Sequence, residues 1–170
     1  MTIWRHLKIR TAIRYADVCV SAPYAGSVLK ISGDIREAIV AHARRDHPDE
    51  ACGIVAGAEG SDEPTRWVPM LNAARSPTFY EFDSSELLAL YRELDERDEV
   101  PVVIYHSHTS TEAYPSRTDV GLAMEPQAHY VLVSTRGCGS GDGPAEFRSF
   151  RIVDGSVTEE DVELVGGTTG

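Results

Sequence analysis

Residues 100–119 read VPVVIYHSHTSTEAYPSRTD, an apolar run that ends in two histidines and continues into a polar loop. The near-continuous apolar run from Val102 to Tyr105 is typical of a central strand that is covered on both faces of a sheet. The pattern predicts a strand over 100–108 and a short helix from about Ser116 to Met124. A buried strand, a loop and a helix start therefore follow one another directly.

The segments on either side of this stretch predict a mixed α/β fold. Two helices are expected, one capped by Asp34 with Glu37 three residues later, the other by Asp83 with Glu86. Glycine, proline and polar clusters delimit further strands, which are predicted at 28–32, 51–57, 66–71, 78–82, 129–135 and 146–153. Strands interspersed with helices favour three layers, with a central sheet flanked by helices.

Length and charge limit the classes of protein to consider. The 170 residues are 42% hydrophobic and 25% charged, which fits one globular domain. The 16 basic residues against 27 acidic ones give a net charge of −11, which disfavours a nucleic-acid partner. Cys19, Cys52 and Cys138 form no C-x-x-C pair, so reduced thiols are expected rather than a disulfide framework or a zinc ribbon.

The ends of the chain are predicted to lie outside the domain. Residues 1–27 are assigned to an N-terminal extension, 28–165 to a single domain and 166–170 to a flexible tail, and the glycine-rich 137–143 is expected to be a mobile loop. The basic N-terminus lacks the apolar run of a signal peptide. No segment approaches the roughly 18 apolar residues of a membrane span. A cytoplasmic protein without a membrane partner is expected.

Two histidines and a later carboxylate form a candidate metal site. Residues two apart on a strand point to the same face, so His106 and His108 can converge while Ser107 points away. Ser116 and Asp119 are three apart and share a face at a helix start, so Asp119 can supply a third ligand. Two imidazoles and one carboxylate are a catalytic type of zinc set that leaves a fourth position for water.

A metal site of this kind needs a general base to take a proton from the water. Glu50 is the candidate; it follows the helix-stopping Pro48 and stands at the mouth of a predicted buried strand. An acidic residue in that place is usually a solvated strand end, and only the resemblance described next favours Glu50. A carboxylate in that place can carry the proton on to a leaving amine.

These residues together resemble the complete motif of the JAMM (MPN+) metalloprotease family. The order is Glu50, then His106-x-His108, seven residues, Ser116, two residues and Asp119. The resemblance implies one Zn²⁺ held by His106, His108 and Asp119, with a bound water. It also implies Glu50 as the general acid/base and Ser116 as the residue that stabilises the oxyanion. The implied fold is the three-layer α/β/α JAMM/MPN domain, which is cytidine-deaminase-like and has a mixed central sheet.

Within this family the chain is similar to hydrolases of the sulfur-carrier route to cysteine. The similarity covers roughly residues 28–160 and is carried by the stretches 41–53, 75–80, 100–108, 112–119 and 128–136. It implies a partner, a small ubiquitin-like sulfur-carrier protein whose C-terminal Gly-Gly is joined to cysteine by an amide. Hydrolysis of that amide would release cysteine for cysteine biosynthesis.

Three other functions remain open. The enzyme could trim extra residues from a carrier precursor to expose Gly-Gly, or act as a deubiquitinase-like isopeptidase on a lysine-linked conjugate. A non-enzymatic MPN-type scaffold is the third, although every position of the motif is filled.

Overall fold

A seven-stranded mixed sheet forms the middle of the computed structural model, which describes residues 28–137, 141 and 143–166. Its strands are β1 (Val28–Ser32), β2 (Cys52–Ala58), β3 (Arg66–Met70), β4 (Glu99–His108), β5 (His129–Ser134), β6 (Glu146–Val153) and β7 (Ser156–Val165). The helices are α1 (Gly33–Asp46), α2 (Ser84–Glu96) and α3 (Arg117–Leu122). The strand order is β1-β7-β6-β5-β4-β2-β3, in which the pairs β1–β7 and β4–β5 are parallel and the other pairs antiparallel.

Apolar side chains pack on both faces of this sheet. Helix α1 contributes Ile39 to one buried cluster, which contains Val103 of β4. Helix α2 contributes Leu94 to a second cluster, which contains Ile104 of β4. Because successive side chains of a strand point to opposite faces, the two clusters form separate layers. The predicted α/β/α arrangement with a mixed sheet is confirmed.

Strand β4 is the central strand that the sequence predicts. It lies between β2 and β5, and its residues from Val102 to His108 are all buried. Residues 28–32 and 146–153 also form the predicted strands, and α2 is capped by Asp83 as expected. The strand predicted at 129–135 ends one residue earlier, at Ser134.

The N-terminus of α1 differs from the prediction. Ser32, not Asp34, is the N-cap residue, and its side chain accepts a hydrogen bond from the Ile35 backbone N–H at 3.2 Å. Asp34 lies inside the first turn, where its negative charge is favoured by the helix dipole. The Asp34–Glu37 spacing mimics a capping box, but the chain is already helical at Gly33.

The prediction of a strand at 78–82 is wrong. This segment makes only an isolated bridge, from Phe82 to Asn72. The Asn72 side chain takes the place of a strand ladder, because its amide donates to the Phe79 carbonyl at 3.1 Å and its oxygen accepts from the Glu81 N–H at 3.1 Å. Side-chain amides often compete with regular backbone pairing in this way.

The sequence analysis missed β7, which lies between β1 and β6. Its residues are mostly polar and exposed, so the apolar pattern is weak. The Asp154–Gly155 pair is the signal that could have found it. Both residues have positive φ values, 50° and 79°, as a two-residue hairpin turn of type I′ requires.

Several predictions fall outside the described residues. These are the N-terminal extension over 1–27 with Cys19, the positions 138–140 and 142 of the glycine-rich loop with Cys138, and positions 167–170 of the tail. The assignment of domain limits stays a prediction. In the described part of the chain, no helix is both long enough and apolar enough to cross a membrane. Cys52 is a buried free thiol.

Candidate metal centre

Three side chains singled out by the sequence converge at the end of β4. The Nε2 atoms of His106 and His108 are 3.2 Å apart, and Asp119 Oδ2 lies 3.5 and 3.4 Å from them. Tetrahedral zinc with ligands at about 2.0–2.1 Å requires ligand atoms roughly 3.3–3.4 Å from one another. The triangle therefore has the donor types and the size that Zn²⁺ requires.

Local structure explains why these atoms meet. His106 and His108 occupy alternate positions of β4, so both rings lie on the same face of the strand and Ser107 points to the opposite face. Asp119 is held by a capping box at the start of α3. Its Oδ2 accepts from the Ser116 N–H at 2.6 Å, and its own N–H donates to Ser116 Oγ at 3.2 Å. The same oxygen, Oδ2, faces both imidazoles.

The tautomer of His108 is set by the loop that follows β4. Its Nδ1 lies 2.9 Å from the Glu112 carbonyl oxygen and 3.0 Å from Thr111 Oγ1. A carbonyl oxygen only accepts, so Nδ1 carries the proton and Nε2 keeps its lone pair for a metal. Histidine ligands in metal sites are commonly oriented by a second hydrogen bond of this kind.

The backbone of Glu50 is fixed from three sides. The Ser107 hydroxyl accepts from the neighbouring Ala51 N–H at 2.8 Å, which ties this segment to β4. The Asn72 amide donates to the Glu50 carbonyl at 2.8 Å, and the Glu50 N–H donates to the Ser76 carbonyl at 2.9 Å. The backbone that carries the Glu50 side chain is therefore held in place by hydrogen bonds to β4 and to the segment 72–76.

A family model described as prokaryotic homologs of the JAB domain matches residues 32–153. The chain belongs to this family. It is 66% identical over 138 residues to the CysO-cysteine peptidase of Mycobacterium tuberculosis, a stretch that covers 81% of this chain and 92% of the relative. It is 33% identical over 116 residues to the desampylase of Haloferax volcanii, covering 65% of this chain and 84% of the relative.

A solved structure supports the same fold. The solution structure of a Desulfitobacterium hafniense protein superposes with a TM-score of 0.70 at 28% identity, covering 84% of this chain and 96% of that one. The JAMM resemblance drawn from the motif is confirmed, and so is the prediction of a hydrolase of the peptidase type. The ligand and catalytic roles of individual residues stay predictions.

Glu50 of this JAB-family peptidase has an unusual carboxyl group. Its residue is 5% exposed, and burial raises the pKa of its carboxyl to about 7. The charge of Asp119 raises the pKa further, while that of His108 opposes the rise. A general acid/base works best with a pKa near the working pH, so the environment of Glu50 suits proton transfer in both directions.

In two of the three candidate ligands, His106 and Asp119, the pKa is shifted so that the deprotonated, metal-binding form is favoured. Burial lowers the pKa of His106 and keeps the ring neutral. Burial alone would raise the pKa of Asp119, but hydrogen bonds with both histidines hold it well below its usual range. His108 is the exception, because Asp119 and the Glu112 carbonyl raise its pKa against the effect of burial. A cation held by the triangle would compete with that proton for His108.

Ser116 lies exposed at the N-cap of α3, beside the triangle. Its oxygen accepts from the Asp119 N–H, and a hydroxyl that accepts one bond still has its own hydrogen to donate. The predicted role at an oxyanion is compatible with this position.

Sequence reasoning missed three supporting residues of the JAB-domain site. Ser107 and Asn72 fix the Glu50 backbone, and Tyr80 packs its ring on His106. No spacing rule identifies them, because each acts through a contact between segments that are distant in sequence. The available signal is that Tyr80 and Ser107 lie in two of the stretches that carry the family resemblance, 75–80 and 100–108; Asn72 lies in none of them.

Proposed function

We propose that this JAB-family protein is a zinc-dependent peptidase that releases cysteine from a small ubiquitin-like sulfur-carrier protein. The bond cleaved is the amide between the carrier's C-terminal Gly-Gly and cysteine. The observation that carries the chemistry is the triangle of His106, His108 and Asp119 beside the buried carboxyl of Glu50. The substrate is supported by the 66% identity to a protein named CysO-cysteine peptidase, 92% of whose length is covered.

His106 and His108, through Nε2, and Asp119, through Oδ2, would hold the metal. When bound, Zn²⁺ supplies a Lewis acid that polarises a carbonyl and lowers the pKa of water. The capping box and the Glu112 carbonyl keep these donors in place, so little reorganisation is needed on binding.

Glu50 would move the proton. Its carboxylate takes a proton from the attacking water and then delivers it to the nitrogen of the leaving cysteine. A pKa of about 7 makes both steps accessible near neutral pH. The hydrogen bonds to its backbone anchor Glu50 beside the triangle during both steps.

Ser116 would donate its hydroxyl hydrogen to the oxyanion that forms on the glycine carbonyl. A preorganised donor at that oxygen is a large contribution to acyl-transfer catalysis, commonly 10²–10³-fold. The N-cap position fixes the Ser116 oxygen through the Asp119 N–H, so the hydroxyl is held by the helix start.

Burial of the candidate ligands limits which chains can reach them. His106 is 2% exposed and His108 is 6% exposed. A Gly-Gly stem has no side chains, so it can approach buried ligands with less steric hindrance than a segment with bulky side chains. This supports a carrier that ends in two glycines as the substrate class.

The test is hydrolysis of a purified carrier ending in Gly-Gly-Cys, followed by intact-mass spectrometry. The zinc-loaded protein should remove one cysteine, and a chelator should stop the reaction. Glu50→Gln should lose hydrolysis while retaining zinc, whereas His108→Ala should lose both. An unchanged carrier mass with zinc-loaded enzyme would contradict the proposal.

Two further substrates separate the alternatives. A carrier linked to a lysine side chain tests for isopeptidase activity, and a carrier precursor with several residues after Gly-Gly tests for trimming. Preference for the single cysteine adduct over both is expected.

A further inference from the structure

We propose that the cavity beside Glu50 is a subsite for the leaving amino acid, and that Arg75 binds its free α-carboxylate. The proposal rests on the function proposed above. It assigns a ligand class, α-amino acids with a free carboxylate, to a cavity that none of the three candidate metal ligands lines.

The cavity adjoins the site of proton transfer. It has a volume of about 320 Å³ and is lined by Asp46, Asp49, Glu50, Leu71, Asn72 and Arg75. Glu50 belongs to both the cavity and the candidate metal centre, where its carboxyl is influenced by the charges of His108 and Asp119. A general acid must come within roughly 2.6–3.2 Å of the nitrogen it protonates. We therefore place the remaining atoms of the leaving amino acid against the residues that line this cavity together with Glu50.

One wall of this cavity is a turn fastened to Glu50. Asn72 donates to the Glu50 carbonyl at 2.8 Å, and the Ser76 carbonyl accepts from the Glu50 N–H at 2.9 Å. Arg75 lies between these two anchors, and its own N–H donates to the Asn72 carbonyl at 3.2 Å. The backbone of Arg75 is thus fixed relative to the backbone of Glu50, the residue that handles the leaving nitrogen.

The backbone of Arg75 is held in a conformation that arginine rarely adopts. Its φ is +44°, in the left-handed region that favours glycine. A non-glycine residue is strained in this region and is maintained there by its surroundings. The hydrogen bonds of Asn72 on either side of the turn maintain it here.

The guanidinium of Arg75 is available for a ligand. Among the residues that the structure describes, no carboxylate forms an ion pair with it, although two aspartates line the same cavity. Asp46 instead pairs with His42 and Arg45. A guanidinium is always charged and its forked N–H groups match a carboxylate, so Arg75 suits a carboxylate ligand.

The remaining charges of the cavity complement the other end of the product. Hydrolysis turns the amide nitrogen of the leaving group into an ammonium, and two acidic residues, Asp49 and Glu50, are among those that line the cavity. The cavity thus presents acidic groups and one cation to a molecule that has an ammonium and a carboxylate on the same carbon. A lysine-linked isopeptide has no carboxylate next to its leaving nitrogen and lacks this match.

The experiment compares two carriers that differ only in the last group, Gly-Gly-Cys with a free carboxylate and Gly-Gly-Cys with a terminal carboxamide. The wild-type enzyme should prefer the carboxylate by roughly 10- to 100-fold in kcat/KM, the range of a charge-assisted hydrogen bond. Arg75→Gln should lose most of this preference by slowing only the carboxylate substrate. Arg92→Gln, on the exposed side of α2, removes the same charge elsewhere and should keep the preference.

A binding measurement makes the result independent of hydrolysis. S-methylcysteine, which has no free thiol to bind metal, is titrated into the metal-free protein and followed by amide NMR shifts. Shifts at 49–50 and 72–76 should be seen with S-methylcysteine, not with its carboxamide, and should be lost in Arg75→Gln. The NMR spectrum of the variant also verifies that it is folded.

The outcomes separate this subsite from the proposed function. Equal cleavage of the two carriers by wild-type enzyme would overturn the role of Arg75 while leaving the peptidase function intact. Cleavage of neither carrier would contradict the function, and the titration then decides the subsite alone. The subsite proposal would be overturned if S-methylcysteine caused no amide NMR shifts, or if it caused the same shifts in Arg75→Gln as in the wild type.

Discussion

The phenol ring of Tyr80 lies face to face with the imidazole of His106, with ring centroids 4.5 Å apart and ring planes inclined by 23°. The segment that bears Tyr80 is tied down on both sides, because Asn72 donates to the Phe79 carbonyl and Thr109 donates to the Pro77 carbonyl. The two histidines of the metal centre are thus oriented differently. His108 is fixed by hydrogen bonds, whereas the ring of the half-buried Tyr80 supports His106.

Replacing Tyr80 by leucine should weaken metal binding. Stacked aromatic pairs contribute about 0.5–1.5 kcal/mol beyond the area they bury, so we expect a roughly 2- to 10-fold rise in the zinc Kd for Tyr80→Leu. Tyr80→Phe keeps the ring and should bind zinc like the wild type. Competition with a chromophoric chelator measures the Kd, and the visible spectrum of the Co²⁺ form reports ligand geometry. Identical Co²⁺ spectra and Kd values for both variants would contradict a positioning role.

The sequence predicted most of the candidate site because that part is local. His106 and His108 follow from strand alternation, and Asp119 follows from the first turn of a helix. Glu50 needed the family resemblance, since nothing in its own segment links it to β4. Tyr80 could not be predicted, because its contact with His106 depends on how a loop without regular structure is tied down.

The same distinction holds for the fold. Strands with apolar patterns were found, and α2 was placed correctly by its Asp83 cap. The missed strand β7 is rich in acidic residues, and one of them, Glu160, is buried where an apolar side chain would be expected. Its partners come from β5 and β6, so only the assembled sheet explains it.

The buried ion pair of Glu160 and Arg151 should be essential for stability. Glu160 accepts from Arg151 Nε at 2.9 Å, lies 2.7 Å from His129 Nδ1 and accepts from Ser149 Oγ at 3.2 Å. Removing one partner of a buried pair typically costs about 3–5 kcal/mol. Glu160→Leu should therefore lower the free energy of unfolding by that amount in urea denaturation.

Glu163→Leu is the matched control for Glu160→Leu, because it makes the same change at an exposed position of the same strand. It should alter the free energy of unfolding by less than about 0.5 kcal/mol. Similar losses in the two variants would mean that the leucine disturbs β7 itself and that the ion pair contributes little.

The raised pKa of Glu50 predicts how the stability of the metal-free protein depends on pH. Below pH 4.5 the carboxyl is protonated in both the folded and the unfolded chain, so its burial does not reduce the free energy of unfolding through ionisation. Between pH 4.5 and about 7 the unfolded chain loses this proton first, and the free energy of unfolding falls. Above about pH 7 the carboxyl is ionised in both states, and the free energy of unfolding has fallen by its full amount of about 3 kcal/mol.

Glu50→Gln removes this titration and should reverse the loss. In the presence of a chelator, the free energy of unfolding of the variant relative to the wild type should rise by about 3 kcal/mol between pH 4.5 and pH 8. Urea denaturation at several pH values measures the difference. Glu96→Gln, on the exposed surface of α2, is the comparison. A Glu50→Gln difference that stays constant with pH would show that burial of this carboxyl does not oppose its ionisation.

Zinc should stabilise the folded protein through the ligand triangle. A ligand that binds only the folded state raises the free energy of unfolding by about 2.7 kcal/mol at a hundredfold excess over its Kd. Asp119 reaches the histidines only when α3 is docked at the end of β4, so the unfolded chain lacks the site. Thermal denaturation should therefore show a higher Tm with zinc than with a chelator in the wild type, and the same Tm in both conditions for His108→Ala. A shift of equal size in His108→Ala would place the stabilising zinc at other residues.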